Sequence, residues 1–293
     1  MAEAQKSSDI GMRRGRVIAN LSLERQLDFI AEGLPILMRS AGNLLAAARS
    51  LDGHPRSASL LLGHSLEETA KILILMDIVR CPKHLRSARI GDMMKWFYDH
   101  LARLLYIEAQ SWRPVHPNQL QDYLDEKRKS HYLEGYMDEY ILPNWSLAQR
   151  ESQLYADIVT YEDGIPIWNE PSDGKPSFGF AGRDPAPWEV CCNLNDFGAF
   201  TREGLDIVSS AWGNVNFEGD DVPAIVTNRL TYEMAISLQE AGLLSERATE
   251  EKLMTLYRCW QLPMYHMNFT RMEVRLEDLK AQQEGTYWAE AGY

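Results

Sequence analysis

The feature that most constrains the fold is the stretch over residues 58–76 (ASLLLGHSLEETAKILILM), which is apolar around almost the whole circumference of a helix. Four ionisable side chains interrupt it: His64, Glu67, Glu68 and Lys71. At about 100° per residue, they fall within an arc of roughly 100° on one helix face. An ionisable group on a buried helix costs several kcal/mol unless it is paired or hydrogen-bonded. The stretch therefore predicts a central helix whose charged face meets compensating partners.

Composition narrows the class of protein. The chain has 293 residues, of which 45% are hydrophobic, and this is enough for a large core. The best candidate for a membrane span, residues 72–79, contains Asp77 and is far too short. Residues 1–20 are polar and lack the apolar core of a signal peptide. The four cysteines show no Cys-x-x-Cys spacing, so we expect reduced thiols in a cytoplasmic protein without a membrane segment.

Hydrophobic periodicity predicts an all-α fold, an antiparallel helical bundle with an irregular, partly β insertion around residues 145–190. Helices are expected over residues 23–50, from the turn at 51–55 to about residue 79, and over 92–109, 118–140, 195–212, 223–241 and 249–282. Pro35 predicts a kink or break in the first helix. Gly242 is the expected cap between the last two helices, and residues 155–158 and 165–168 are expected to form a hairpin.

The sequence predicts one domain. Residues 1–19 are expected to form a basic N-terminal lead-in, and residues 20–293 a single helical domain. Within that domain the core should span about residues 25–215, followed by C-terminal helices over 223–282. No internal repeat or disordered linker divides the chain.

Charge is distributed unevenly along the chain. Residues 1–90 hold 13 Lys and Arg against 9 Asp and Glu, whereas residues 134–221 hold 4 against 17. The acidic middle should repel a polyanion, while the first helices and the turn over residues 80–89 are able to attract one. A nucleic acid would therefore approach the N-terminal half, although both regions are also compatible with ordinary solvated surface.

Three stretches of the chain resemble the AbiV-type abortive-infection proteins, a branch of the HEPN superfamily of helical bundles. The resemblance is strongest over residues 30–75, continues over residues 93–106 and is weaker over residues 152–171. The family pattern is a helical hairpin with a Glu-Glu-x-x-Lys signature, then a His with a basic residue three positions later, and then a Leu-Tyr-x-Asp turn. The matching residues here are Glu67, Glu68, Lys71, His100, Arg103, Leu154, Tyr155 and Asp157.

Two departures from the family pattern bear on function. Arg103 stands where the family usually has Lys, and its planar fork suits a phosphate or carboxylate bidentately. The nuclease members of the superfamily use an Arg and a later His with four to six residues between them. Arg49 and His54 alone have that spacing here, and they lie at the first helical hairpin, away from the place of the nuclease motif. The standard nuclease motif is therefore absent.

The matched residues are compatible with metal-independent RNA cleavage. His100 is the candidate base, because its ordinary pKa lies near neutrality. Arg103 or Lys71 is the candidate cation for the charge that develops on the phosphate, and Glu67 and Glu68 would orient the other side chains. The alternative is a structural network, in which Glu68 pairs with Lys71 and a glutamate bridges to His100 or Arg103 on the neighbouring helix.

Other sites have weaker support. His64 is expected to be a hydrogen-bonded core histidine. A metal site built from His64, Glu67, Glu68 and His100 is disfavoured, because Lys71 beside it would repel a cation and the paired Glu-x-x-His motifs of bundle metal sites are missing. Phosphate-binding glycine loops and dinucleotide fingerprints are also missing. We expect no cofactor and no metal.

The resemblance implies a bacterial anti-phage protein that arrests growth of the infected cell, and a homodimer. Our first hypothesis is a conditional toxin acting on RNA or the translation apparatus, with Glu67, Glu68, Lys71, His100 and Arg103 at its site. The alternative is a non-catalytic binding protein that recognises a phage or host protein, in which this cluster is purely structural.

Overall fold

The computed structural model describes residues 15–160, 164–173, 184–219 and 221–290, and helices dominate it. A 3-10 helix, Gly15–Asn20, precedes helices α1 Leu23–Arg49, α2 Pro55–Arg80, α3 Lys83–Trp96, α4 His100–Ser111, α5 Pro117–Lys127, α6 Trp145–Leu154, α7 Ala186–Asp196, α8 Arg202–Trp212, α9 Val226–Glu240, α10 Glu250–Cys259 and α11 Leu276–Glu290. Strands β1 His131–Glu134 and β2 Tyr140–Pro143 form one antiparallel hairpin, and β3 Asp157–Thr160 and β4 Pro166–Asn169 form another. The predicted all-α fold with a minor β insertion is confirmed, although the first hairpin precedes residue 145.

Helices α1 and α2 form the hairpin at the centre of the molecule. Ser22 caps the start of α1, as its polar side chain predicts. The Ser65 hydroxyl donates to the Ala41 carbonyl across the contact, at 2.8 Å. Helix α2 is buried along most of its length, so the central helix that its sequence predicts is confirmed. Of the kink or break predicted at Pro35, the break is wrong, because α1 continues through this exposed residue, with Leu34 beside it buried in the core.

The predicted helix over residues 92–109 is wrong. The chain leaves the helical path after Trp96, and a new helix, α4, starts at His100. Asp99 causes the restart, since its carboxylate accepts a hydrogen bond from the Ala102 N–H at 2.8 Å. This restart places His100 and Arg103 on the first turn of α4. The predicted helix over residues 118–140 is also too long, because α5 ends at Lys127 and the β1–β2 hairpin follows.

The helices of the C-terminal half are interrupted more often than the hydrophobic periodicity predicts. The expected helix over residues 195–212 is replaced by α7 and α8, which meet at Gly198. Gly198 has a φ of 77°, and a side chain there would meet the Leu243 carbonyl oxygen. The expected helix over residues 249–282 is wrong, because α10 ends before Trp260 and α11 begins only at Leu276.

Other predictions for this half are confirmed. Helix α9 lies within the expected range, and Gly242, with a φ of 70°, ends it in the left-handed conformation typical of a helix cap. The β3–β4 hairpin lies where it was expected, although residues 161–163 of its turn lie outside the described residues.

The segment between α10 and α11 crosses the core in an irregular conformation and joins the C-terminal half to α2. Asp77 accepts hydrogen bonds from the Arg80 Nε and from the Met264 N–H, both at 2.8 Å. The Arg80 guanidinium lies between the rings of Trp212 and Trp260, 4.6 and 4.1 Å from their centroids. This buried ion pair therefore holds the two halves together in one core.

The N-terminal boundary differs from the expected lead-in over residues 1–19. Residues 1–14 lie outside the described residues, and the 3-10 helix over Gly15–Asn20 is packed on α3, with Ile18 buried. No helix in the described ranges has the length and hydropathy that a membrane crossing requires.

Candidate functional site around Glu67

The charged face of α2 meets its partners at Glu67. This carboxylate is buried, with 5% of its side chain exposed. Its Oε2 accepts from His100 Nδ1 at 2.7 Å and lies 3.0 Å from Arg103 Nη2, both on α4. Its Oε1 accepts from Arg150 Nε on α6 at 2.9 Å. One buried carboxylate therefore connects α2, α4 and α6, and we call Glu67, His100, Arg103 and Arg150 the Glu67 cluster.

Local sequence positions the two members of the cluster on α4. Because α4 begins at His100, the imidazole lies at a helix terminus, where half of its side chain stays exposed. Arg103 is one turn later and faces the same side. Its Nε donates to the carbonyl of Asp99 at 3.2 Å, so the capping residue of α4 also orients the arginine.

Arg150 reaches the cluster because α6 is anchored at its start. Asn144 caps α6 by accepting from the Leu147 N–H at 3.1 Å. The Asn144 amide group also donates to the carbonyls of Lys127 and Lys129, at 2.9 and 2.8 Å. These bonds tie the helix to the chain between α5 and β1, and they orient α6 so that Arg150 points to Glu67.

The side chains around Glu67 favour the ionised form of its carboxylate. Burial raises the pKa of Glu67, but the hydrogen bond from Arg150 and the charges of Arg103 and His100 outweigh burial and leave the pKa below its ordinary value. Burial likewise lowers the pKa of Arg103, against the opposing effect of the Glu67 charge. The site at neutral pH therefore holds an ionised carboxylate and two guanidinium cations.

The His100 ring is oriented for proton transfer with solvent. Nδ1 lies 2.7 Å from Glu67 Oε2 and 2.8 Å from Arg103 Nη2, which can only donate. We assign the proton to Nδ1, because the carboxylate can only accept and because Arg103 Nη2 has the same Glu67 oxygen as its own acceptor at 3.0 Å. Nε2 has no hydrogen-bond partner among the described residues, and the side chain is 50% exposed. In this tautomer the lone pair of Nε2 points outward, which is the arrangement that a general base requires.

Glu68 and Lys71, two other predicted site residues, form a separate pair beside the cluster. The Lys71 ammonium donates to Glu68, and it lies 5.5 Å from the centroid of the Phe97 ring. No hydrogen bond in the described part of the chain joins this pair to His100 or Arg103. The structure thus brings together Glu67, His100 and Arg103 from the predicted set, and leaves Glu68 and Lys71 adjacent to them.

Sequence reasoning missed Arg150. It lies 83 residues beyond Glu67, in a segment that was expected to be irregular, so no helical spacing connects it to the α2 signature. One weak signal was available, because Arg150 is one of only four basic residues in the acidic stretch over residues 134–221. A basic residue in so acidic a stretch is a candidate for a specific ion pair.

A cavity of about 340 Å³ adjoins the cluster between α2, α4 and α6. Its lining includes the polar side chains of Glu67 and Arg150 and the apolar side chains of Leu66 and Ile107. The exposed indole of Trp145, on α6, lines it as well. His64 also lines this cavity and is exposed, so the expectation of a core histidine is wrong. Of the Glu67 cluster, Glu67 and Arg150 line this cavity, which is large enough for a small organic group, whereas His100 and Arg103 are not among its lining residues.

The basic turn over residues 80–89 does not offer the cationic surface that its sequence suggests. Arg80 and Arg86 are both buried, and Arg86 donates to the carbonyls of Val79 and Cys81. Arg89 is bound to Glu218, with its Nε 3.0 Å from the carboxylate. Two of the four cationic side chains of this turn therefore lie inside the protein, a third is paired with Glu218, and Arg86 supplies donors to the free carbonyl groups of the helix junction.

The described residues contain no group of three or more His, Cys, Asp or Glu side chains with the geometry of a metal site. Comparisons of the chain with protein-family models, with curated proteins and with solved structures gave no match.

Proposed function

We propose that this chain is a conditional toxin of bacterial anti-phage defence that arrests growth by cleaving RNA without a metal ion, with His100 as its general base. The observation that carries the proposal is the half-exposed His100 imidazole, held at Nδ1 by the buried Glu67 carboxylate and open at Nε2. The defence role rests on the resemblance of the α2 and α4 sequences to the AbiV-type proteins. The expected homodimer stays a prediction.

The chemistry follows from the tautomer of His100. Nε2 takes the proton of a ribose 2′-hydroxyl, and the 2′-oxygen attacks the adjacent phosphorus. The bond to the 5′-oxygen breaks, that oxygen takes a proton from water, and a 2′,3′-cyclic phosphate remains. The His100 imidazolium then gives its proton to the hydroxide left by that water. Glu67 holds the ring in place and stabilises the imidazolium that forms.

We assign the phosphate-facing charge to Arg150 and Arg103, because they bind the same carboxylate as His100, whereas Lys71 is directed to Glu68. Arg150 is the more accessible of the two, and its Nη atoms have no partner among the described residues. A guanidinium edge of this kind matches two phosphate oxygens.

The test compares wild type with His100→Ala in growth arrest, in total RNA integrity and in cleavage of a purified oligoribonucleotide. His84→Ala is the matched control, since His84 is an exposed histidine of α3. We expect the His100 variant to fold and to lose cleavage by a factor of about 10² to 10⁴, with His84→Ala unaffected and cleavage by wild type unchanged in EDTA. Growth arrest by wild type without any RNA cleavage would refute the nuclease.

A second candidate is a non-catalytic binding protein that recognises a phage or host protein. The burial of Glu67 and the use of both its oxygens favour it, since a carboxylate shared by three helices is what a structural clamp requires. The same experiment separates the two candidates. If His100→Ala and Arg150→Ala both fold and still arrest growth like wild type, the cluster is structural and the binding protein is the better proposal.

A further inference from the structure

The β3–β4 hairpin has little contact with the helical body. Its strands pair only with each other among the described residues, and every strand residue except the partly buried Val159 is exposed. An isolated two-stranded hairpin is at best marginally stable in water. Among the described residues, no further strand pairs with either outer edge of the hairpin, so each edge is a place where another strand can add.

This hairpin carries large apolar side chains that folding does not bury. Ile158 on β3 lies directly opposite Trp168 on β4, and their exposed fractions are 55% and 75%. Ile165 and Ile167 are exposed as well. Exposed apolar side chains clustered on one projecting element mark an interaction site, because they contribute nothing to the core. Tryptophan is also among the residues that contribute most to binding at protein interfaces.

The charge around the hairpin selects the partner. Between residues 151 and 174 the chain has six acidic residues and neither Lys nor Arg. In the structure, the exposed Asp157 begins β3 and the exposed Glu170 directly follows β4. A polyanion such as RNA is repelled by this surface, and a basic polypeptide is attracted to it.

We propose that the β3–β4 hairpin binds a basic, extended segment of a partner protein, which adds as a third strand to the hairpin. Backbone pairing along the open edge supplies the main contacts, as in other cases of β-strand addition. Ile158 and Trp168 receive apolar side chains on one face of the segment, and the flanking carboxylates attract its lysines and arginines. This interaction is independent of the His100 chemistry, and it gives the protein a place where a partner regulates it or is recognised.

The test uses a fluorescently labelled octapeptide of alternating lysine and valine, with binding to the full chain followed by anisotropy. Three comparison probes are the glutamate–valine octapeptide, the lysine–valine peptide with every second amide N-methylated, and an oligouridylate. The variants are Trp168→Ala and Glu170→Lys. Trp288→Ala is the matched control, because Trp288 is an exposed tryptophan on a different element, helix α11.

We expect the lysine–valine peptide alone to bind, and its binding to weaken as salt concentration rises. Trp168→Ala should weaken binding by about thirtyfold. Glu170→Lys, which leaves the strands unchanged, should weaken it severalfold, and Trp288→Ala should leave it unchanged. Hydrogen exchange should show new protection in β3 or β4 when the peptide is bound.

The proposal is overturned if the lysine–valine peptide does not bind, if the N-methylated or the glutamate peptide binds equally well, or if Trp168→Ala and Trp288→Ala have the same affinity. Binding of oligouridylate that depends on Trp168 would also overturn it, because the occupant would then be a nucleic acid.

Discussion

Replacing Glu67 by glutamine tests the electrostatic core of the site. The change preserves the shape of the side chain but removes the negative charge shared by Arg103 and Arg150, and it places an amide N–H₂ group against donors. Removing one partner of a buried ion pair costs about 3–5 kcal/mol. His100 and Arg150 are partly exposed to water, whereas only 8% of the Arg103 side chain is exposed. We therefore expect a loss near the lower limit, about 3 kcal/mol of unfolding free energy.

The control is the neighbouring substitution Glu68→Gln. Glu68 is on the same helix and has one ion-pair partner among the described residues, Lys71, and both side chains are about one fifth exposed. A pair of this kind contributes about 1 kcal/mol or less. Unfolding in urea, followed by tryptophan fluorescence and by circular dichroism, measures both free energies. Coincidence of the two transitions shows that one cooperative step is measured.

The pH dependence provides an independent check. Because the pKa of Glu67 is lower in the folded chain than in the unfolded chain, its stabilising effect is complete above the ordinary pKa and is lost as pH falls through the folded value. The difference between wild type and Glu67→Gln should therefore shrink on acidification below about pH 4. Equal costs for Glu67→Gln and Glu68→Gln at pH 7, or a difference that persists in acid, would refute the reasoning.

Two further predictions concern buried groups outside the site. Asp77→Asn leaves the Arg80 guanidinium without its counter-ion in the core, so we expect a loss of about 3–5 kcal/mol, measured by calorimetry against the exposed control Asp92→Asn. Burial lowers the pKa of His266 to about 4, and both of its ring nitrogens lack partners among the described residues. As pH falls, His266 therefore gains a proton in the unfolded chain before it does so in the folded chain. The free energy of unfolding should thus fall by up to about 3 kcal/mol between pH 6.5 and pH 4. In His266→Leu this part of the pH dependence should disappear; an unchanged pH profile would contradict the assignment.

Much of the fold follows from local sequence signals. The apolar pattern predicts α1 and α2 nearly to their ends, because a helix of that length depends mainly on which residues face the core. The pattern fails where two helices follow each other closely. Both the restart at Asp99 and the corner at Gly198 interrupt sequences that would otherwise continue as helix. A capping carboxylate and a close backbone approach decide these corners, and neither changes the hydrophobic period.

The residues of the candidate site were also only partly predictable from the sequence. The signature on α2 and the His100–Arg103 spacing on α4 could be found in the sequence, since each lies within a single turn of one helix. Arg150 could not be found, because its contact with Glu67 joins residues far apart in the chain. The separation of the Lys71–Glu68 pair from the cluster was equally hidden, since spacing along one helix does not show which of its side chains reach a neighbour.

The sequence by itself determined that a buried helix carries a charged face and that this face needs partners. The reason is that desolvating ionised groups is costly wherever the helix is packed. Only the tertiary structure decided that the partners meet on a single carboxylate and that His100 stays half exposed at the start of α4. Those outcomes depend on how α4 and α6 are placed against α2, and that placement is set by packing across the whole core and by the capped helix starts that aim each side chain.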